Sequence, residues 1–367
     1  MRTIRRLIYR EVLASVVFVA IGFLALFFFF DFLDELPNVS RGASHYGLTE
    51  ALAYVTLMIP SHLYELLPIA VLIGTIFVMA RLAQSSEYTI LRTSGLGPWR
   101  ALRTLLALGL MFTLLTFAAG DYLAPVSDRT AQLLKARLEG RISIGQTGAW
   151  LKEKQSERTY NVNVNALTPD GGMQGVRIFE SDARGFLISI TLAPRGQFAA
   201  DAAWVLQDAE RSVFPARGSA VARVDRVRIP SLRWPTGISP EMVSVALLKP
   251  DRMGTIDLFQ YIRHLEANQQ TSQRYEIEFW RKVFYPLSCM VMVVLALPFA
   301  YLHFRTGGIT GYVFGGVLIG ISFFLLNNVF GYIGNLQNWR PWLAAAAPGL
   351  IYSLLSLGAF GWLVLRR

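Results

Sequence analysis

The sequence predicts a mainly α membrane protein, with six apolar helices split three and three around an inserted β domain, a sandwich or jellyroll, outside the cytosol. Three observations predict it. Of 367 residues, 53% are hydrophobic and only 16% are charged, a composition outside the range of ordinary soluble chains. Six apolar runs approach or exceed the ~20 residues that cross a bilayer. Between the third and fourth runs the pattern changes to short alternating segments broken by turn residues, the signature of antiparallel strands.

The first run, Val12 to Phe30, is uncharged and follows Arg2, Arg5, Arg6 and Arg10. With no small-residue cleavage site before DFLDEL, it reads as a retained signal-anchor with its N-terminus inside. Ala51 to Ala80 is the second span, interrupted by Pro60, His62, Glu65 and Pro68. After the polar stretch Gln84 to Arg103 comes the third, Thr104 to Gly120, which completes a first section at residues 1–127.

Residues 128–253 form the β section, with segments such as Thr159 to Val164, Gly175 to Phe179 and Phe186 to Leu192. Turn-forming residues such as Pro169 to Gly172 and Ala183 to Gly185 separate them. In residues 254–367, Ile256 to Trp280 reads as an amphipathic helix with Leu258, Ile262 and Leu265 on one stripe. Three uncharged runs close the chain: Val283 to Leu302, Gly307 to Leu336 and Trp342 to Leu365.

Charge fixes the expected orientation. With the N-terminus inside, the short inner segments carry Arg2, Arg5, Arg6, Arg10, Arg81, Arg92, Arg100, Arg103, Arg305, Arg366 and Arg367, against Arg41 and Arg340 outside. Both termini are then cytoplasmic and the β domain lies outside the cytosol, which in a bacterial setting is the periplasm. The net charge of +10 is spread along the chain without a Lys/Arg block interleaved with aromatics, which argues against nucleic acid. Cys289 is the single cysteine and sits in an apolar run, so disulfides and cysteine metal sites are excluded. Neither a Walker A sequence nor H-E-x-x-H, C-x-x-C or G-x-S-x-G occurs, so catalysis, metal and cofactor are not expected on this chain.

The stretch QSSEYTILRTSGLG, at about 85–95, reads as a short cytosolic helix. Ser85 or Ser86 would cap it, Glu87 would meet the positive end of its dipole, and Gly95 would end it in the left-handed conformation. Tyr88 and Leu91 fall on one face beside Glu87, the composition of a plug entering an apolar groove with a basic rim. A plain capped loop explains these residues about as well. Glu65, inside the second span, is expected to meet a partner or a wet cavity, whereas Asp31, Asp34, Glu35 and Asp121 lie at span ends. Phe27 to Phe30 with Phe32, and Phe314, Leu318, Ile321 and Leu325 at helical spacing, could line an acyl-chain path, although such stripes are commonly lipid-facing.

The ordered set of IPSHLYELLPIAVLIG, AQSSEYTILRTSGLG, AAGDYLAP, GAWLKE and RYEIEFWRKVFYPLS resembles the LptF/LptG family of lipopolysaccharide-export permeases over nearly the whole chain. FLDEL and NNVFG are similar to the LptG branch. The resemblance implies an inner-membrane permease of a Gram-negative bacterium, paired with an LptF-like sister permease and bound to a homodimeric LptB-like ABC ATPase that holds ATP and Mg. It implies export of lipopolysaccharide into a periplasmic bridge through LptA- and LptC-like proteins, the second a single-span regulator. Glu87, with Tyr88, Leu91 and Arg92, then matches the family's coupling helix. Phe27, Phe30, Asp31, Asp34, Phe314, Leu318, Ile321 and Leu325 become lipid-cavity candidates on the gating first and fifth spans. The resemblance also makes the inserted domain a periplasmic β-jellyroll, in which Trp150, Tyr160, Val162, Ile178 and Phe198 become candidates for an inner-face lipid path. Well-known LptG members place a lysine at the position aligned with Asp31, so no phosphate-binding role is carried to that position. The alternatives are an ABC permease for another lipid or lipoprotein, a non-transporting envelope scaffold, and an intramembrane enzyme using Glu65 and His62.

Overall fold

The computed structural model describes residues 2–40, 47–139, 148–168, 171–199, 203–215, 223–240, 242–243, 250–301 and 309–365. Arg41, Arg305, Arg366 and Arg367 of the charge count lie outside them, as do Pro169 and Asp170 of the expected turn. Helices α1 (Arg2–Ser40), α2 (Leu48–Gln84), α3 (Glu87–Thr93) and α4 (Pro98–Ala118) come first, and α4 continues through a π turn (Ala119–Leu123) into α5 (Ala124–Glu139). Six strands follow: β1 (Ala149–Gln155), β2 (Arg158–Leu167), β3 (Met173–Asp182), β4 (Leu187–Ala199), β5 (Ala203–Val213) and β6 (Asp225–Pro235). Helices α6 (Thr255–Ala267), α7 (Gln273–Phe284), α8 (Ser288–Ala296), α9 (Ile309–Leu336) and α10 (Pro341–Ala359) complete the described chain.

Six helical segments among the described residues are long and apolar enough to cross a membrane: Ile4–Pro37, Leu48–Gln84, Pro98–Gln132, Gln273–Tyr301, Thr310–Leu336 and Pro341–Trp362. The second is one continuous helix through Pro60 and Pro68, two of the residues that interrupt its apolar run. Neighbouring helices can re-satisfy backbone groups freed by proline inside a membrane bundle. By its contacts the chain forms two units, one of Met1–Glu35, Val55–Ser127 and Glu276–Arg367, the other of Leu36–Tyr54 and Asp128–Tyr275.

In the first unit α2 is the hub. The most apolar window of its span is 83% buried, against 17% for the first span and 22% for the fifth, so the neighbours turn most of their surface outward. Glycines let the helices close up. A methyl group on Gly74 of α2 would come within 2.8 Å of the Val16 backbone in α1, and methyls on Gly316 and Gly320 of α9 would come equally close to Ile76 and Ile69 of α2.

In the second unit the strands pair antiparallel in the sequential order β1-β2-β3-β4-β5-β6. The sheet rolls until its ends meet. Gln155 donates to the Pro235 carbonyl, Gly237 N–H and the Thr236 hydroxyl both donate to Glu153, and the rings of Tyr160 and Trp234 stand 6.2 Å apart. A row of irregular residues crosses the sheet at Gly175 (φ 63°), Pro194 and Asp208 (φ 50°). Across that row the buried set changes parity, from Val176 and Ile178 to Met173 in β3 and from Ala209 to Leu206 and Trp204 in β5.

Where one amphipathic helix was expected over Ile256 to Trp280, there are two, α6 and α7. Gln269 takes φ 54° and Gln270 N–H bonds back to the Leu265 carbonyl, closing α6 in the way a glycine usually does. The stripe of Leu258, Ile262 and Leu265 is buried as its spacing predicts. Helix α6 is fixed to its own unit by an Asp257 to Arg129 ion pair at 2.8 Å and by Asn268, which accepts the Lys154 N–H at 3.0 Å.

Candidate functional site

The connection between the second and third spans is built around α3. Gly95 (φ 99°) ends the helix, with Gly95 N–H bonded to Arg92 O and Leu96 N–H to Leu91 O, a Schellman arrangement whose Leu96 is buried. The start differs from expectation. Ser86 stands at φ 60° with no side-chain cap, while the Ser85 hydroxyl donates to Arg81 O and so finishes α2 instead.

The division of labour on α3 also differs. Tyr88 is 2% exposed, its ring edge-on to Tyr301 with 5.2 Å between centroids, and Arg92 covers the same Tyr301 ring. Burial pushes the Tyr88 phenol well above its ordinary range. Tyr88 is therefore no plug for a partner but the anchor of α3 to the end of the fourth span, and Leu91 packs half-buried beside it. The free face carries Glu87 and Ile90, the latter 62% exposed, and Glu87 has no ion-pair partner among the described residues. Ile90 escaped the sequence reading because Tyr88 and Leu91 looked like the single apolar face of so short a helix.

The α1 candidates separate by helical position. Phe27 and Asp31, one turn apart, turn toward α2, where His62 Nε2 lies 2.6 Å from the Asp31 carboxylate and the Phe27 ring stands 5.0 Å from the imidazole. Phe30 and Asp34 are exposed. On α9, Phe314, Leu318, Ile321 and Leu325 are all exposed, in a stripe that Val329, Tyr332 and Leu336 continue.

In the β domain, Val162 and Ile178 are register partners, both buried, and Tyr160 shares their rolled-in face with Trp234. Phe198 is register partner to the buried Trp204 but is itself partly exposed. Trp150 is on the opposite face: Leu151 pairs with Val162, so alternation turns Trp150 outward to stack on Phe179. Taking all five as one inner face is corrected to that extent. The rolled-in face also holds Glu180, buried among Arg158, Ser189 at 2.6 Å and Arg211 at 2.7 Å. Burial raises its carboxyl, but the Ser189 hydrogen bond and the two guanidiniums outweigh that and hold it below the usual value. Outside, a groove of about 710 Å³ crosses the cross-strand row Arg177, Leu192, Glu210 and Arg228.

The residues that sequence reading missed most completely form a polar knot in the membrane unit. Lys282, 7% exposed, donates to the Gly120 carbonyl at 2.9 Å, in the π turn, and lies over the Tyr64 ring. Tyr285 donates to the Glu65 carbonyl, and Arg281 bonds Glu278 and Asn328 at 2.8 and 3.0 Å. A π turn leaves backbone carbonyls without their usual partner, and a buried ammonium supplies one. The Glu65 and Asp121 positions belong to the same neighbourhood through Tyr64. Four stretches far apart in sequence, LYELL, AAGDYL, FWRKVFYP and NNVFG, thus converge in one place.

The Lipopolysaccharide export system permease LptF/LptG family matches residues 6–366. The chain belongs to the LptF/LptG family. Two curated proteins named Lipopolysaccharide export system permease protein LptG are similar to it. That of Escherichia coli (strain K12) is 26% identical over 339 residues, covering 92% of this chain and 90% of its own length. That of Haemophilus influenzae is 24% identical, covering 100% of this chain and 99% of its own. For an LptF/LptG permease the convergence of those four stretches has a plain physical reading: they build the knot that joins the second, third, fourth and fifth spans.

Proposed function

We propose that this chain is the LptG-type permease subunit of an ATP-driven exporter that takes lipopolysaccharide from the inner membrane and passes it to a periplasmic bridge. It stands in the inner membrane of a Gram-negative bacterium with both termini in the cytoplasm and the β domain in the periplasm. Its partners are an LptF-like sister permease, a homodimeric LptB-like ABC ATPase that carries ATP and Mg, and LptA- and LptC-like bridge proteins. Hydrolysis belongs to the ATPase, and this chain supplies coupling and a lipid path.

The observation that carries this reading, beyond family membership, is the two-sided α3. Its inward side is tied by Tyr88 and Arg92 to Tyr301 at the end of the fourth span, and its outward side offers Glu87 and Ile90. A helix of seven residues is too short to hold itself. Docked in this way, it passes a push on Glu87 and Ile90 to the spans. The exposed aromatic and aliphatic stripes of α1 and α9 suit surfaces that lipid enters between, and the rolled-in face around Tyr160, Val162 and Ile178 suits the onward acyl-chain path.

The test is purification of the tagged chain from native membranes in mild detergent, with mass spectrometry of co-purifying protein and lipid. Recovery of an ABC ATPase, a second six-span permease and lipopolysaccharide supports the reading. Glu87→Ala is expected to weaken ATPase retention roughly tenfold, about 1.4 kcal/mol, without changing membrane insertion. Recovery of the chain with periplasmic proteins and no ATPase would move the assignment to an envelope scaffold.

A further inference from the structure

We propose that the first turns of α1 and the facing side of α4 form a binding site for an anionic glycerophospholipid. Arg5, Arg6 and Arg10 would hold its phosphate, and an acyl chain would lie on Leu13, Leu108 and Met111. The site rests on the membrane reading above and is separate from the exported lipid. A cavity of about 580 Å³ is lined by these six residues and Tyr9.

The two halves of the cavity have opposite chemistry. Arg6, Arg10 and Leu13 follow one another at helical spacing, so two cations and an apolar residue form a single stripe. Across from them Leu108 is buried, while Met111 and Leu13 are each 43% exposed, an apolar floor open on one side. A rim of guanidiniums above an apolar floor fits a molecule with a phosphate at one end and a hydrocarbon tail at the other. Arginine's planar fork matches phosphate oxygens in pairs.

The distribution of charge favours this occupant. The first thirty residues contain one carboxylate, Glu11, and Arg81 engages it at 2.6 Å. Arg6 and Arg10 have no ion-pair partner among the described residues, and Arg5 is braced on Tyr9, its Nη2 3.3 Å from the hydroxyl and its guanidinium 5.7 Å from the ring centre. The rim is thus a concentrated positive charge with its nearest acid withdrawn. A lipid anion satisfies rim and floor together, whereas a soluble anion or an acidic peptide would satisfy the rim and leave the floor open.

The experiment uses the full chain with its co-purifying proteins, stripped of lipid in detergent and offered equal amounts of phosphatidylglycerol, cardiolipin and phosphatidylcholine, with bound lipid read by native mass spectrometry. Two variants are compared with the parent: the triple change R5Q/R6Q/R10Q, which removes the rim, and Met111→Trp, which fills the floor and leaves every charge in place. The expected result is retention of the anionic lipids over phosphatidylcholine, reduced roughly tenfold or more by each variant. Equal retention of phosphatidylcholine, or undiminished binding in either variant, overturns the site; loss in the arginine variant alone would leave a simple anion-binding surface. Protease access to the β domain in intact and opened cells reports the proposed orientation separately, because binding in detergent does not depend on it.

Discussion

Neighbouring residues on α3 divide between a face packed into the fold and a face left open, and the division can be tested one side chain at a time. Removing the Tyr88 ring, 2% exposed against Tyr301, leaves a cavity, so Tyr88→Ala is expected to cost about 3–5 kcal/mol and to lower the melting temperature of the purified chain. Glu87→Ala, on the open face, should leave that temperature unchanged. A fall of equal size in both would mean that α3 has no separate outward face. Gly120 is a second residue-scale case. A Cβ there would stand 2.3 Å from the Tyr64 ring, so Gly120→Ala must displace the ring from Lys282, at a cost of about 1–3 kcal/mol. Thermal unfolding in detergent measures it.

Among the elements, α2 and the β sheet carry separable loads. Close packing of α1 on α2 depends on Gly74, where an added methyl would meet the Val16 backbone as well as its side chain. Gly74→Ala should therefore push the two helices apart and raise hydrogen exchange in α1, with little change in the β domain. In the sheet, Glu180 gathers Arg158, Ser189 and Arg211 across strands β2 to β5. Its folded carboxyl lies below the ordinary carboxylate value, so at neutral pH its stabilisation is complete. That stabilisation is lost as pH falls below about 4.5 through the depressed folded value. Glu180→Gln should remove about 1.5–3 kcal/mol, the scale of hydrogen bonds to a charged group, and flatten this acid sensitivity. Hydrogen exchange of β3 and β4 between pH 7 and pH 4 reads it.

For the whole molecule, the exposed faces are as informative as the buried ones. Phe18 at 79%, Phe314 at 62% and Leu325 at 56% exposure lie on the first and fifth spans, the two least buried of the bundle's long helices. In water such faces would aggregate; in a bilayer they are lipid surface or the seam to a second permease. Cysteine pairs placed at Phe30 or Phe314 and on a co-purifying permease should cross-link in native membranes. Labelling of both sites by lipid probes alone would assign them to lipid.

The sequence by itself determined the class of the protein, because length and hydropathy of a span are local properties that a bilayer enforces. Six spans, the strand section between them and the glycine end of α3 were all legible for that reason. Motif order also carried the family. Only the tertiary structure decided which side of α3 is free, since an i, i+3 pair such as Tyr88 and Leu91 looks the same whether it faces a partner or the chain's own Tyr301. It alone split Ile256 to Trp280 into two helices, because Gln269 takes a conformation its residue type does not announce. It turned Trp150 away from Val162, because strand register is set by pairing and a shift of one residue exchanges faces. The same holds for Lys282, Gly120, Tyr64 and Asn328: no window of sequence contains them together, and only the packing of four spans brings a buried ammonium to a carbonyl that the π turn had left open.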